Sequence, residues 1–166
     1  MPMYTIEHIN SLMEDAVVHN LAGCELFRGI DEATLLVEYN GIGPEFFPAA
    51  LRAKVTNWLR VFEPAALIHD LRNYLSNGQR YDFNFANTEF YDNCIILVDA
   101  AYPWWHWRRY WLRHLARCMY DFVSSAPGWR AWMDCYEKTL SNSSAPGWRA
   151  WKDCYEKTLS NKNKLQ

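Results

Sequence analysis

Apolar residues recur at helical spacing from the start of the chain. Ile6, Ile9, Leu12, Met13 and Val17 share one face of a segment that Thr5 can cap and that runs to about Asn20. Glu7 lies in its first turn, where the helix dipole favours an acid, and Gly23 ends it. The pattern then changes. Residues 25–30 and 33–39 are rich in aromatic and β-branched side chains around the polar break Asp31-Glu32, which predicts a small β-hairpin. Asn40-Gly41-Ile42-Gly43-Pro44 reads as a loop. Helical spacing returns over 48–62, with Leu51, Val55, Trp58 and Leu59 inward. Pro64 sits where a first helical turn accepts proline, and a helix follows to Leu75, stopped by Ser76-Asn77-Gly78. A further helix is expected from Asn84 or Asn87 to Ala101, and another over 103–123. The fold class is mainly α (α+β): a helical domain with one small β-hairpin near its N-terminus. No strand–helix alternation points to a parallel sheet, and no glycine-rich dinucleotide or phosphate loop occurs.

The end of the chain repeats itself. Residues 124–142 read SSAPGWRAWMDCYEKTLSN and residues 143–161 read SSAPGWRAWKDCYEKTLSN, differing only at Met133 and Lys152. Each copy opens with helix-start punctuation and continues with Trp, Trp, Cys-Tyr and Leu at helical spacing. A position that accepts Lys is expected to be exposed in the second copy. The division expected is one helical domain over 1–142, closed by the first copy, and a duplicated helix and tail over 143–166. Exchange of the copies between subunits would make a homo-oligomer.

Composition narrows the function classes. Half of the 166 residues are hydrophobic, enough for a packed core. The net charge of −2 argues against a general nucleic-acid binder, whose phosphate contacts need a basic surface. The first residues carry neither a basic nor an apolar leader region, and no uncharged apolar run is long enough to cross a bilayer. The five cysteines are odd in number and have no C-x-x-C spacing, as expected of reduced thiols in a cytoplasmic protein, with Cys94 and Cys118 as small buried hydrophobes.

The chemical candidate is the run Phe62-Glu63-Pro64-Ala65-Ala66-Leu67-Ile68-His69-Asp70-Leu71-Arg72-Asn73-Tyr74. Neighbours on a helix do not face each other, so His69 and Asp70 each need a different partner. A His acts as general base when an acceptor orients its other ring nitrogen, and an Asp can bind a hard cation such as calcium. The next helix offers Asn84, Asn87, Glu89, Asp92 and Asn93 as acceptors. The plain alternative is a packing His beside a solvated Asp.

A-A-L-I-H-D-L-R-N-Y, a loop and F-N-F-A-N-T-E-F-Y-D-N-C together resemble two related groups. One is a family of uncharacterised bacterial and bacteriophage proteins built around an A-A-L-x-H-D helix, with a Pro-rich segment before it (here Pro44-Glu45-Phe46-Phe47-Pro48) and a second helix after it (here Ala86-Asn87-Thr88-Glu89-Phe90). The other, more distant, is the prokaryotic secreted phospholipase A2 family, whose helix carries C-x-x-H-D. The resemblance spans 44–98. It implies an antiparallel phospholipase-like helix pair at the core, His69 as the base that activates water, Asp70 as a calcium ligand, and Asn87 near the position of the residue that orients the histidine. Asn87 replaces an Asp there and cannot stabilise an imidazolium by charge; Asp92 is the acid nearby. Ala66 replaces the phospholipase cysteine, so the disulfide of that family is not available. The phage-type family implies no known activity.

A second segment stands out. Residues 103–114 hold four Trp and three Arg in twelve positions. Trp104, Trp107 or Arg108, Trp111, Leu115, Cys118 and Phe122 form one helical stripe; Arg109, Arg113, His106 and Arg117 lie elsewhere on the circumference, with Asp99 and Asp121 the nearest acids. The plain reading is a core helix with Arg heads over Trp faces. The functional reading is a contact surface of Trp104, Trp105, Trp107, Arg108, Arg109 and Arg113, since Trp and Arg dominate binding hot spots. Three functions follow as expectations: a phage- or prophage-type accessory protein acting as a non-enzymatic interaction module for a protein partner, a calcium-dependent ester hydrolase, or a membrane-surface binder.

Overall fold

In the computed structural model of the chain, residues 4–39, 41–42 and 57–142 are described, with side chains as far as Glu137. Helix α1 spans Ile6–Val18. Thr5 caps it as expected, its hydroxyl oxygen accepting from the His8 amide at 3.3 Å, and Ile9, Leu12 and Ala16 are buried. Helix α2 spans Glu32–Glu38. The segment before it, Cys24–Gly29, is a 3-10 turn that buries Leu26 and Phe27.

The expected β-hairpin is therefore corrected: both of its halves are helical, and the described residues contain no strand. The polar break Asp31 is not a hairpin turn but a helix cap. Its carboxylate accepts from the Thr34 amide at 2.9 Å and from the Thr34 hydroxyl at 2.8 Å. Once α2 is started, Leu35 and Tyr39, four apart, are buried on one face. A capped turn with an inward stripe outweighs the strand preference of the side chains, which depends on context.

Helix α3 spans Glu63–Tyr74 and grows directly out of the 3-10 turn Arg60–Phe62, with Pro64 in its first turn. It is the central helix, buried from Glu63 to Ile68 without interruption and again at Leu71. Helix α4 spans Arg80–Ala101, opening earlier than either Asn84 or Asn87. Asp82 draws the start back by accepting from the Asn77 amide at 3.1 Å. Helices α3 and α4 run antiparallel across the connection 75–79: His69 meets Asn87, whereas Arg72, further along α3, meets Phe85, earlier on α4.

Helix α5 spans Trp107–Val123. Pro103 opens a turn rather than the helix, and His106 is the cap, its Nδ1 accepting from the Arg108 amide at 3.1 Å. Helix α6 spans Ala126–Asn142 and is the first copy of the repeat. α3 packs on α1, α2, α4 and α6, and α5 packs on α4 and α6. Most of the apolar core lies between α1, α3, α4 and α5, and a satellite cluster joins Phe83 and Ala86 of α4 to Trp132 of α6. The loop expected at 40–44 apart from Gly41 and Ile42, the Pro-rich segment, most of the helix expected over 48–62, and the second copy of the repeat lie outside the described residues. No helix among the described residues is long and apolar enough to cross a membrane.

Candidate functional site

Antiparallel pairing of α3 and α4 brings His69 to Asn87, with the imidazole Nε2 2.9 Å from the amide Oδ1. Asn87 Nδ2 in turn donates to the Val123 carbonyl at 3.4 Å, which fixes the amide with its oxygen toward the histidine. In neutral His69, Nε2 is then the protonated nitrogen and Nδ1 the one left to act as base. Nδ1 lies 3.8 Å from an Asp70 carboxylate oxygen, beyond hydrogen-bond reach. The ring packs against Phe90 at 5.2 Å and against Trp132 at 6.0 Å between centroids. Trp132 comes from α6, so the repeat closes over this histidine. Asp92 does not take part in holding His69. It sits roughly 140° around the helix from Asn87 and is exposed.

Asp70 stands where the resemblance puts a calcium ligand. Among the described residues no group of three His, Cys, Asp or Glu side chains is placed to hold a metal.

The other acceptors of α4 serve different partners. Glu89 takes Arg72, Nε to Oε1 and Nη2 to Oε2, both at 2.8 Å, a bidentate pair deep between the two helices. Asn93 pairs both atoms of its amide with the backbone of Ala22, accepting from N and donating to O at 2.9 Å each, and so ties the end of α1 to α4. Between these bonds Gly23 has φ +90°, and a Cβ there would meet Ile68 Cγ2 at 2.7 Å and Glu89 Oε1 at 2.9 Å. This residue is glycine for both reasons.

A second polar cluster at the other end of α3 has no counterpart in the sequence reading. Glu63 Oε2 lies 3.2 Å from His8 Nε2 without hydrogen-bond alignment, and both atoms, with the Tyr39 hydroxyl, are buried and lack a hydrogen-bond partner. Burial pushes the Glu63 carboxyl up to about 7, an effect the Arg60 cation offsets in part. Burial, then Arg60, holds His8 below its ordinary value, and burial, then Glu63, raises the Tyr39 phenol. Near pH 7 the carboxyl is thus only about half ionised and the imidazole beside it is held toward its neutral form, so the two do not form a full ion pair. A charged residue opening an apolar helix was the available signal. Its partners on α1 and before residue 40 could not be read from spacing.

The aromatic-basic segment lies at the start of α5. Of the two readings of the stripe, the core-helix one does not hold for most of its members: Trp107 and Phe122 are exposed, as are Arg108, Trp111 and Cys118, while Leu115 packs partly buried on the core and the buried positions are Leu112 and Ala116. Ala116 lets α4 approach closely, which a stripe of indoles would not. Cys118 is corrected with its stripe, its Sγ 3.6 Å from His114 Nε2, while Cys94 is buried as expected and its thiol is pushed up by that burial. Asp99 at the end of α4 takes two arginines, Arg113 through both carboxylate oxygens at 2.7 Å and Arg109 at 3.0 Å. Arg108 lies over the Trp107 ring at 5.8 Å. Around it Trp104 meets Trp105 edge-on at 5.7 Å and Trp58 meets Trp111 at 4.9 Å. No protein-family model matches the chain, and no curated protein or solved structure matches it either.

Proposed function

We propose that the chain is a non-enzymatic interaction module that binds a protein partner through the aromatic corner at the start of α5. One observation carries this reading: Trp104, Trp105 and Trp107 are 69%, 67% and 66% exposed, side by side, with exposed Tyr110 next to them. Adjacent indoles left in water are uncommon on a monomer's surface and are the side chains that anchor interfaces. The arginines favour a protein over an anionic bilayer. Arg109 and Arg113 share the single Asp99 carboxylate, which offsets one of their two charges and holds both guanidinium groups in ion pairs at the end of α4 rather than extended toward lipid headgroups. Hydrolysis has less support. His69 is covered by Trp132, its partner Asn87 brings no charge, and the described residues gather no calcium site. The phage- or prophage-type setting enters from the A-A-L-I-H-D resemblance alone.

The test is photocrosslinking in the source cell with benzoylphenylalanine at position 105. A discrete protein adduct is expected, lost when Trp104 and Trp107 are changed to Ser. Flotation on phosphatidylglycerol vesicles that depends on the same two residues would move the proposal to a membrane surface. Calcium-dependent ester turnover abolished by His69→Ala would replace it with the hydrolase.

A further inference from the structure

The contacts that seat α6 are made by side chains that the chain carries twice. Trp132 is buried against Phe83 at 5.5 Å and His69 at 6.0 Å between ring centroids, and Trp129 meets the Phe83 edge at 5.1 Å. The Arg80 guanidinium lies over Trp129 at 4.7 Å. Tyr136 is packed so closely on Gly78 that a Cβ there would come within 2.6 Å of its ring. At the entrance Gly128 leaves room for the Val123 carbonyl, which a Cβ would strike. In the second repeat Trp151, Trp148, Tyr155 and Gly147 occupy the same four places. Of the residues that touch the seat, only Met133 is changed, to Lys152. Met133 packs on the Phe83–Trp132 cluster. A lysine keeps the aliphatic stem of that contact but must carry its ammonium to water.

We propose that the seat formed by Phe83, Ala86, His69, Arg80 and Gly78 takes either repeat, and that 143–161 of the same chain competes for it with 124–142. The first repeat holds the seat in the described structure, and Lys152 sets its advantage. The exchange stays within one chain for a reason of arithmetic. Two chains carry four repeats and two seats, so swapping between them leaves two repeats unseated as before and gains no contact. Within a chain the displaced first repeat becomes a connection of 19 residues, whose closure entropy grows slowly with length and which keeps the second repeat at high effective concentration.

Hydrogen exchange of the full chain reads this directly, because peptides spanning Met133 and Lys152 differ in mass. In the wild type, slow exchange is expected in the Met133 peptide. In Trp132→Ala the first repeat loses its largest buried contact, worth on the order of a hundredfold or more in occupancy, and slow exchange is expected to move to the Lys152 peptide. Loss at Met133 with no gain at Lys152 overturns the proposal. Lys152→Leu decides the matter should Trp132→Ala not fold. It leaves the first repeat untouched, yet is expected to speed exchange at Met133 and slow it in the second repeat. Unchanged exchange at Met133 overturns the proposal too. The redistribution is expected to be the same over a hundredfold dilution of a monomer; one that appears only with a dimer in light scattering assigns the seat to a second chain and overturns the intramolecular exchange.

Discussion

Glu63 and Glu89 are buried to nearly the same depth, their side chains 4% and 6% exposed, at opposite ends of the contact surface of α3. Glu89 faces a guanidinium that meets both of its oxygens. Glu63 faces an imidazole that is itself reluctant to be charged, a phenol, and an exposed Arg60. The protein solves the same desolvation problem in two ways. At Glu89 a second charge and two aligned hydrogen bonds compensate the carboxylate. At Glu63 the carboxyl keeps its proton until about pH 7. The first solution is held by two aligned hydrogen bonds; the second makes the α1–α3 contact respond to pH.

Arg72→Ala should have the largest effect. It strands Glu89 between helices, at a cost of about 3–5 kcal/mol, measured by chemical denaturation. Arg72→Met with Glu89→Leu is expected to recover most of that loss, because no charge is left buried. Equal losses in the single and double variants would mean that the pair holds α3 to α4 by more than charge compensation, and the contrast with Glu63 would fail.

The pH dependence of stability probes the other carboxyl. The folded-state value of Glu63, about 7, lies above the unfolded value of 4.5. Its contribution is therefore complete below about pH 4.5 and is lost as pH rises to about 7, a change on the order of 3 kcal/mol. His8 slopes the opposite way: held below its ordinary value, it stabilises above pH 6.5 and loses that contribution on acidification. Glu63→Gln removes only the first slope. The variant should match the wild type near pH 5 and exceed it by on the order of 3 kcal/mol at pH 8. A wild-type curve flat between pH 5 and 7 would mean that Glu63 is ionised throughout.

A smaller perturbation reaches Glu89 through the backbone. Gly23→Ala places a methyl against Ile68 and the Glu89 carboxylate at a left-handed position. A loss of about 1–3 kcal/mol is expected, together with faster exchange of the Ala22 amide, which Asn93 holds. An unchanged protein would show that the bond between α1 and α4 is looser than its geometry.

How much of this was legible in the chain depends on the range of each interaction. Local signals read well: Thr5 as a cap, Pro64 in a first turn, Ser76-Asn77-Gly78 as a stop, and 124–142 as a helix. The misread hairpin turned on one local fact, that Asp31 bonds to Thr34 and starts a helix. Asn87 in particular was singled out only by the family resemblance; that His69 would find an acceptor on the next helix followed from residue types. Which acceptor served which donor did not: Glu89 was a candidate for His69 and went to Arg72 instead, a choice set by the rotation of α3 against α4. Whether the Trp stripe packs inward or forms a surface was not legible for a related reason. Two apolar stripes run along α5, and only the one containing Ala116 allows close packing.

The tryptophans of that outer stripe add a third case to the two carboxylates: groups whose mismatch with their surroundings is left in water. Trp104→Ser with Trp107→Ser should change stability by no more than about 0.5 kcal/mol, the usual range for exposed positions. The same variant should lose the photocrosslinked partner. Folding and binding would then be separated, which is expected where apolar area is exposed for association rather than for the core. A stability loss near that of Arg72→Ala would show that these indoles are packed in the free chain, and the contact surface would have to be sought elsewhere on the molecule.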